Sequence, residues 1–446
     1  MAAGNFLTQN KKLPGAYMNF KSVPNAVGVV GERGIATMPL QLEWGPENTV
    51  IELLSTDLED GKSLEKVGTT AFYSDSLILR ECLKHCFKLL IWRIDRGSEK
   101  AKIELGTLIA TAKYGGTKGN MIQVAIVENE DASTEEQTVF DVVTFFEQTE
   151  KDRQSVTAIS ELVDNDWVDF SGTGALSAQA GAFLQGGTSG TIKASDYADY
   201  LAAMKPLNWN TMGIPSNDPT LPPIIKTYIA GLRDKEGKKV QAVVYDYNAA
   251  DHEGIISCKQ GYATSIEEIP PVMFVAWVTG ATAGANVNES LCYKTLEGAV
   301  SIIGELSESE LEEEIQKGWF LLGKRVDGAI VVVDDLNTFV SFEPEKDEDF
   351  SNNRVIRVFD EIGTTVRLQF EKMYIGKVDN TETGRDILKG QLVANCVTLQ
   401  DISAIQNFVA DDIEIYMGNS KSSVRVNMYI QPVDCMKKLY MTVFER

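Results

Sequence analysis

Ile224-Ile225-Lys226-Thr227-Tyr228-Ile229-Ala230-Gly231-Leu232, entered through Pro222-Pro223 and followed by Val240-Gln241-Ala242-Val243-Val244-Tyr245, is the stretch on which the fold turns. Its first half spaces apolar residues as a helix does, and prolines suit the opening turn of one. Its second half is a short β-branched run that reads as a buried strand. The alternation continues on both sides. Tyr197 to Met204 reads as a helix, Ser307 and Glu310 form a capping box ahead of an acidic helix to Gln316, and Ala329-Ile330-Val331-Val332-Val333 is another buried strand. Helix and strand alternating over residues 191–342 argue for an α/β domain around a central sheet.

Beyond it, Glu343-Pro344-Glu345-Lys346-Asp347-Glu348-Asp349 reads as a solvated boundary, and the remainder as two helices followed by strands. Before it, Gly186-Gly187-Thr188-Ser189-Gly190 reads as a flexible connector. Residues 97–190 carry strand-like runs such as Ile122-Gln123-Val124-Ala125-Ile126-Val127 and Val139-Phe140-Asp141-Val142-Val143. Further back, Ala26 to Val30 reads as a buried strand, Leu79, Leu83, Cys86, Phe87 and Leu90 fall at helical spacing, and Leu89 to Ile94 looks like a strand. The expected organisation is an N-terminal arm (1–22), a first part of the core (23–96), a β-rich inserted domain (97–190), a second part of the core (191–342), a C-terminal domain (343–437) and a C-terminal arm (438–446). That is an α/β multidomain protein with a mixed α/β core, a β-rich insertion, an α+β C-terminal domain and terminal strand arms. A chain of 446 residues suits it, at ~150 residues per domain.

Acidic residues number 64 against 42 basic ones, a net charge of −22. Such a polyanion repels phosphate backbones, so no nucleic-acid partner is expected. The ends are basic instead: Lys11, Lys12 and Lys21 meet no acid before residue 22, and Lys437, Lys438 and Arg446 oppose only Glu445. Both ends also read as strands, Ala16-Tyr17-Met18-Asn19-Phe20 after a Pro14-Gly15 break and Leu439-Tyr440-Met441-Thr442-Val443-Phe444 at the far end. A strand with nothing beside it is a template for association, and a basic one suits an acidic neighbour. The longest charge-free apolar stretch, Ile269 to Asn288, contains Thr279, Gly280, Thr282 and Gly284; it reads as a buried strand or helix, and no membrane insertion is expected. The first residues lack an apolar secretion signal and the six cysteines are scattered, so reduced thiols in a cytoplasm are the expectation.

The chemistry-bearing motifs are incomplete. Cys82-Leu83-Lys84-His85-Cys86 could begin a zinc site, yet no second cluster stands at a zinc-site spacing, and the two cysteines read as core. Asp251-His252-Glu253-Gly254 could hold a base but reads as a turn. Gly61-Lys62-Ser63 ends like a phosphate loop, but Thr56 stands where that loop needs glycine. Gly28, Gly31 and Gly34 have the wrong spacing for a dinucleotide turn, and Gly187-Thr188-Ser189-Gly190-Thr191 misses the nucleophile-elbow pattern at its last position. Asp334-Asp335 and Asp411-Asp412 read as solvent-facing acids rather than a cation site. No catalytic, cofactor-binding or metal residue is assigned, and the expectation is a protein that is not an enzyme.

Asn353-Arg354-Val355-Ile356-Arg357-Val358-Phe359-Asp360-Glu361-Ile362, Tyr374-Ile375-Gly376-Lys377-Val378 with Gly384-Arg385, Leu399-Gln400-Asp401-Ile402 running to Phe408, and Gln431-Pro432-Val433-Asp434 resemble stretches of contractile-tail sheath proteins. Lys12-Leu13-Pro14-Gly15-Ala16-Tyr17 resembles their arm, and Lys113-Tyr114-Gly115-Gly116-Thr117-Lys118-Gly119-Asn120 the loop into their inserted module. The variant resembled is that of PBSX-type defective prophages and R-type bacteriocins. The resemblance implies a structural subunit without cofactor, stacked as helical hexameric rings around a tail tube and contracting to drive that tube through a cell envelope. It implies strand exchange between copies through Ala16–Phe20 and Leu439–Phe444, and tube contact on a helical segment at Leu399, Gln400, Asp401 and Gln406. Partners would be further copies, the tube protein and baseplate proteins. The chain would be made in a bacterial cytoplasm and leave in a virion tail or phage-like particle after lysis. The readings set against it are an α/β enzyme of unidentified activity and another self-assembling tail component.

Overall fold

The computed structural model describes residues 33–445. At its centre lies a six-stranded sheet in the spatial order Ile255–Cys258, Gln241–Tyr245, Thr211–Ile214, Ile35–Leu40, Lys88–Arg93 and Val50–Leu54. All neighbours are parallel except the last pair. Parallel strands are buried on both faces, which is why they read as continuous apolar runs. Ala36, Met38 and Leu40 enter one apolar cluster with Leu89 and Ile91. Leu90, Trp92 and Ile94 enter another with Met212, Ile214, Ala242 and Val244. Thr37 faces this second side, where its hydroxyl donates to the Leu90 carbonyl and meets the Tyr200 hydroxyl.

Helices Ala194–Met204 and Leu221–Ala230 cover that second face. The other is covered by helices Leu77–Leu83 and Pro271–Gly284. The charge-free stretch is thus a helix, buried nearly all round from Phe274 to Ala283. Its glycines are points of close approach: a Cβ on Gly280 or Gly284 would collide with the backbone carbonyls of Cys82 and His85. The helix expected through Leu90 ends at Leu83, because the parallel strand Lys88–Arg93 claims the following residues; Phe87 is half exposed between them.

The insertion is a β-sandwich. One sheet orders Val168–Gly172, Leu108–Gly115 and Lys100–Leu105; the other orders Gln179–Phe183, Ile122–Glu128, Phe140–Phe146 and Thr149–Val156. Both are antiparallel, and their inner residues share one core with Trp44 and Leu64 of the central domain. The supposed flexible connector is pinned. Gly187 donates its N–H to the Asn120 side chain and accepts from it, Thr188 bridges to Glu99, and Thr191 pairs with Arg96. Glycine is needed at 190 because a Cβ there would strike the Arg96 carbonyl.

The C-terminal part packs helices Asn353–Gln369 and Glu382–Asp401 against a two-stranded hairpin, Ile413–Met417 with Val424–Met428. A short pair, Ile405–Gln406 with Gln431–Pro432, lies beside it. Leu388, Leu392, Cys396, Leu399, Ile405, Phe408 and Ile413 form the shared core. The fold is therefore a multidomain mixed α/β protein with a β-sandwich and a C-terminal domain.

Candidate assembly surface

Leu439, Tyr440, Met441, Thr442, Val443 and Phe444 are all exposed and form no strand. The tail has the propensity of a strand, but a strand needs a ladder partner, and among the described residues of this single subunit none lies beside it. Phe444 is 83% exposed and Tyr440 89%, a concentration of apolar surface unusual for a lone chain. Ala16, Tyr17, Met18, Asn19 and Phe20 lie outside the described residues, as does the Ala26–Val30 strand expectation.

The tail has a fixed root. Lys437 Nζ lies 2.8 Å from an Asp334 carboxylate oxygen and 3.2 Å from Asp434. Asp434 also accepts from the Asn352 side chain at 2.7 Å. The Lys437 ammonium is held well above the usual lysine range: burial opposes its charge, but Asp334 and Asp434 outweigh that. The basic end thus meets an acid of its own core, and only the residues after 437 stand free.

Among the described residues the C-terminal hairpin pairs with no third strand, so both its backbone edges are open. Its inner residues Ile413, Ile415, Val424 and Met428 pack on the domain core, while Tyr416, Met417 and Tyr429 are exposed. Isolated two-stranded hairpins are marginal, and open edges accept further strands.

The segment expected to face a tube is not one helix. Glu382–Asp401 ends there, the chain turns, and Ile405–Gln406 is a short strand. Leu399 is 2% exposed and belongs to the core, so it offers no surface; its apolar character served packing. Gln400 turns inward to accept the Phe408 N–H at 2.8 Å. Asp401 and Gln406 are exposed.

The chemical near-misses resolve into structure. Cys82 and Cys86 are buried with their sulfurs 3.6 Å apart, and His85 stands edge-on to Trp277. Burial pushes the His85 imidazole down to about 4. Ser63 is buried, its hydroxyl donating to the Thr69 carbonyl. Asp234, His252 and Glu253 are the one group among the described residues that brings metal-ligating atoms together. There the Gly254 N–H donates to His252 Nδ1 at 2.9 Å, which puts the ring proton on Nε2 toward Asp234 at 3.8 Å, and Lys346 already engages Glu253 at 3.0 Å. The Nδ1 lone pair is thereby taken by a backbone N–H, and Nε2 has no hydrogen-bond partner among the described residues. Asp335 corrects the solvent-facing reading of Asp334-Asp335. It is fully buried, ion-paired with Arg357 at 2.5 Å, and accepts from the Asn353 side chain and the Leu291 N–H. Asp411 is exposed, as that reading expected, while Asp412 receives the Val409 N–H.

Two joints that residue patterns did not reveal orient the domains. At the sandwich, Trp44 stacks on Trp167 at 5.6 Å and meets the edge of Tyr114. Beside them the buried Arg93–Asp95 pair reaches the carbonyls of Gly45 and Gly115. At the C-terminal domain, Arg233 grips Asp360 through two bonds of 2.7 and 2.8 Å, and Gln241 reaches Asn353 at 3.0 Å.

Comparison with known proteins shows family models matching three successive stretches: the phage tail sheath protein beta-sandwich domain at residues 96–190, the phage tail sheath protein central domain at 190–338, and the phage tail sheath C-terminal domain at 345–445. The phage-like element PBSX protein XkdK of Bacillus subtilis is 33% identical, with 99% of each chain covered. A sheath tail protein from Desulfitobacterium hafniense superimposes with a TM-score of 0.84 at 39% identity, covering 96% of this chain and 99% of that one. The helical sheath of the anti-feeding prophage in its contracted state shares the fold at a TM-score of 0.56 and 12% identity, covering 98% of this chain and 100% of that one.

Proposed function

The chain belongs to the phage tail sheath family, and from that premise we propose that it is the repeating subunit of a contractile sheath. Hexameric rings of it stack helically around a tail tube and, on contraction, drive that tube through a target envelope. The observation that carries this is a mismatch among the described residues of one subunit: an apolar tail without a strand partner, and a two-stranded hairpin with open edges. Each supplies what the other lacks if they meet between copies. Main-chain hydrogen bonds would then join subunits while alternate side chains set the register. The tail from 438 and the segment Ala16–Phe20 are the strands given, and the hairpin of a neighbour is the acceptor. Contacts of this head-to-tail kind build open helices.

Contraction in this reading is a change between two packings of nearly rigid subunits, with the difference stored in interfaces rather than supplied by a nucleotide. The exposed Asp401 and Gln406 are the residues proposed to meet the tube, and baseplate proteins would start the change. The role is structural, and the particle would assemble in a bacterial cytoplasm and be released with the tail.

The test is removal of residues 438–446, followed by negative-stain microscopy and sedimentation velocity. The full chain should form tubes or stacked rings, alone or on added tube and baseplate proteins. The shortened chain should stay folded and fail to polymerise under the same conditions. Tubes of ordinary width from the shortened chain would remove the tail from the mechanism.

A further inference from the structure

Cys435 stands in the root of the tail, between Asp434 and Lys437. Asp434 is tied to Asn352 and Lys437 to Asp334, so the root is drawn across the end of the strand Ile330–Val332. Cys292 sits at that same place, its thiol 3.4 Å from the carbonyl of Val333, the residue before Asp334. The two polar ties thus bring thiols 143 residues apart in the chain to the same place beside Val333 and Asp334. Neither residue is fully buried. The Cys82–Cys86 pair makes the contrast: its sulfurs are 3.6 Å apart, but both residues are buried and shut off from any reagent.

We propose that Cys292 and Cys435 are a paired-thiol modification site, closing into a disulfide when the protein meets a small-molecule disulfide. The link fastens the root of the tail to the core by a covalent bond where one ion pair and one side-chain hydrogen bond hold it now. It concerns the root and not the free end, so it stands apart from the strand-exchange reading.

The order of steps follows from the surroundings. Burial, Asp334 and the neighbouring thiol push Cys292 up to about 12, so it is the protonated partner near neutrality. Cys435 is the attacking thiol: its sulfur bonds to one sulfur of oxidised glutathione, its proton passes to solvent, and one glutathione thiolate is released. Cys292 then gives up its proton, attacks the Cys435 sulfur, and the second glutathione leaves. Two thiols are oxidised by two electrons, and one glutathione disulfide is reduced to two thiols.

The experiment treats the folded full chain with oxidised glutathione, blocks remaining thiols by alkylation, and maps peptides from a non-reducing digest. The chain should lose two of its six free thiols, fall in mass by two hydrogens, and yield one joined peptide pair containing residues 292 and 435. Linkage should form at least ~10-fold faster than in urea-unfolded chain, because the folded root supplies a high local concentration. Cys292→Ser should stop at a glutathione adduct on Cys435, and Cys435→Ser should lose no thiol pair. Full alkylation of both residues after oxidation of the native chain, or Cys435 linked only between two copies, overturns the proposal. Each is read directly from mass, so a variant that folds poorly does not obscure the result for the unaltered protein.

Discussion

The central domain is joined to its two neighbours in opposite ways. Toward the sandwich the joint is aromatic: Trp44, Trp167 and Tyr114 bury their rings against one another, with one satisfied ion pair at the side. Toward the C-terminal domain it is polar: Arg233 with Asp360, Arg357 with Asp335, and Gln241 with Asn353, all buried. Apolar contact is strong but indifferent to small rotations. Buried charges tolerate one geometry, and a missing partner leaves a desolvated ion behind. The first joint holds a module in place; the second fixes an orientation, which matters for the domain carrying the open hairpin and preceding the tail.

The largest expected effect is at the polar joint. Asp335→Ala should cost about 4 kcal/mol in urea unfolding, since it strands the fully buried Arg357. Replacing both, Asp335→Leu with Arg357→Met, should recover much of that loss. If the single and double variants cost the same, the joint is held by packing and the contrast falls. Trp44→Ala should cost about 3 kcal/mol, felt first in the sandwich, where hydrogen exchange should quicken while the C-terminal helices stay protected. Gly116→Ala should cost about 2 kcal/mol, because Gly116 has a φ of 132° and a Cβ would strike the Glu43 carbonyl.

The smallest effect separates the joints by pH. His252 lies 3.8 Å from Asp234, the residue after Arg233, and burial lowers its pKa below the ordinary histidine value, with Glu253 and Asp234 opposing and Arg233 and Lys346 assisting. The unfolded chain therefore binds the proton first. Stability should be flat above the unfolded value of about 6.5 and fall as pH drops below it. His252→Gln should remove that part of the slope, measured by unfolding at several pH values; an unchanged slope would place the sensitivity elsewhere, such as at His85.

The contrast also shows what a linear reading can reach. Val240–Tyr245 and Ile224–Leu232 were legible because burial on both sheet faces and on one helix face each leaves a local period. The Ser307–Glu310 box was legible for the same reason, since its partners are three residues apart. Trp44 with Trp167 and Arg233 with Asp360 were not, because those partners are set by topology and no local pattern announces them. Asp335 looked like a surface acid for want of any sign of Arg357. The 186–190 glycines looked like slack, when they are close passages of backbone. Leu399 carried a correct family resemblance but a core role, and the tail carried strand propensity that no strand among the described residues takes up.

Because Lys437 is tethered to the core, the tail that follows is a leash of known length. The strand proposed for exchange ends at Phe444, seven residues on from Lys437, a reach of at most about 23–25 Å. A neighbour that takes up this strand must keep its hairpin within that radius of Asp334 in every state the particle adopts. If the tail is exchanged as proposed, the leash sets an upper limit on how far adjoining subunits can part, and lattices that need a longer step are excluded before any side chain is compared.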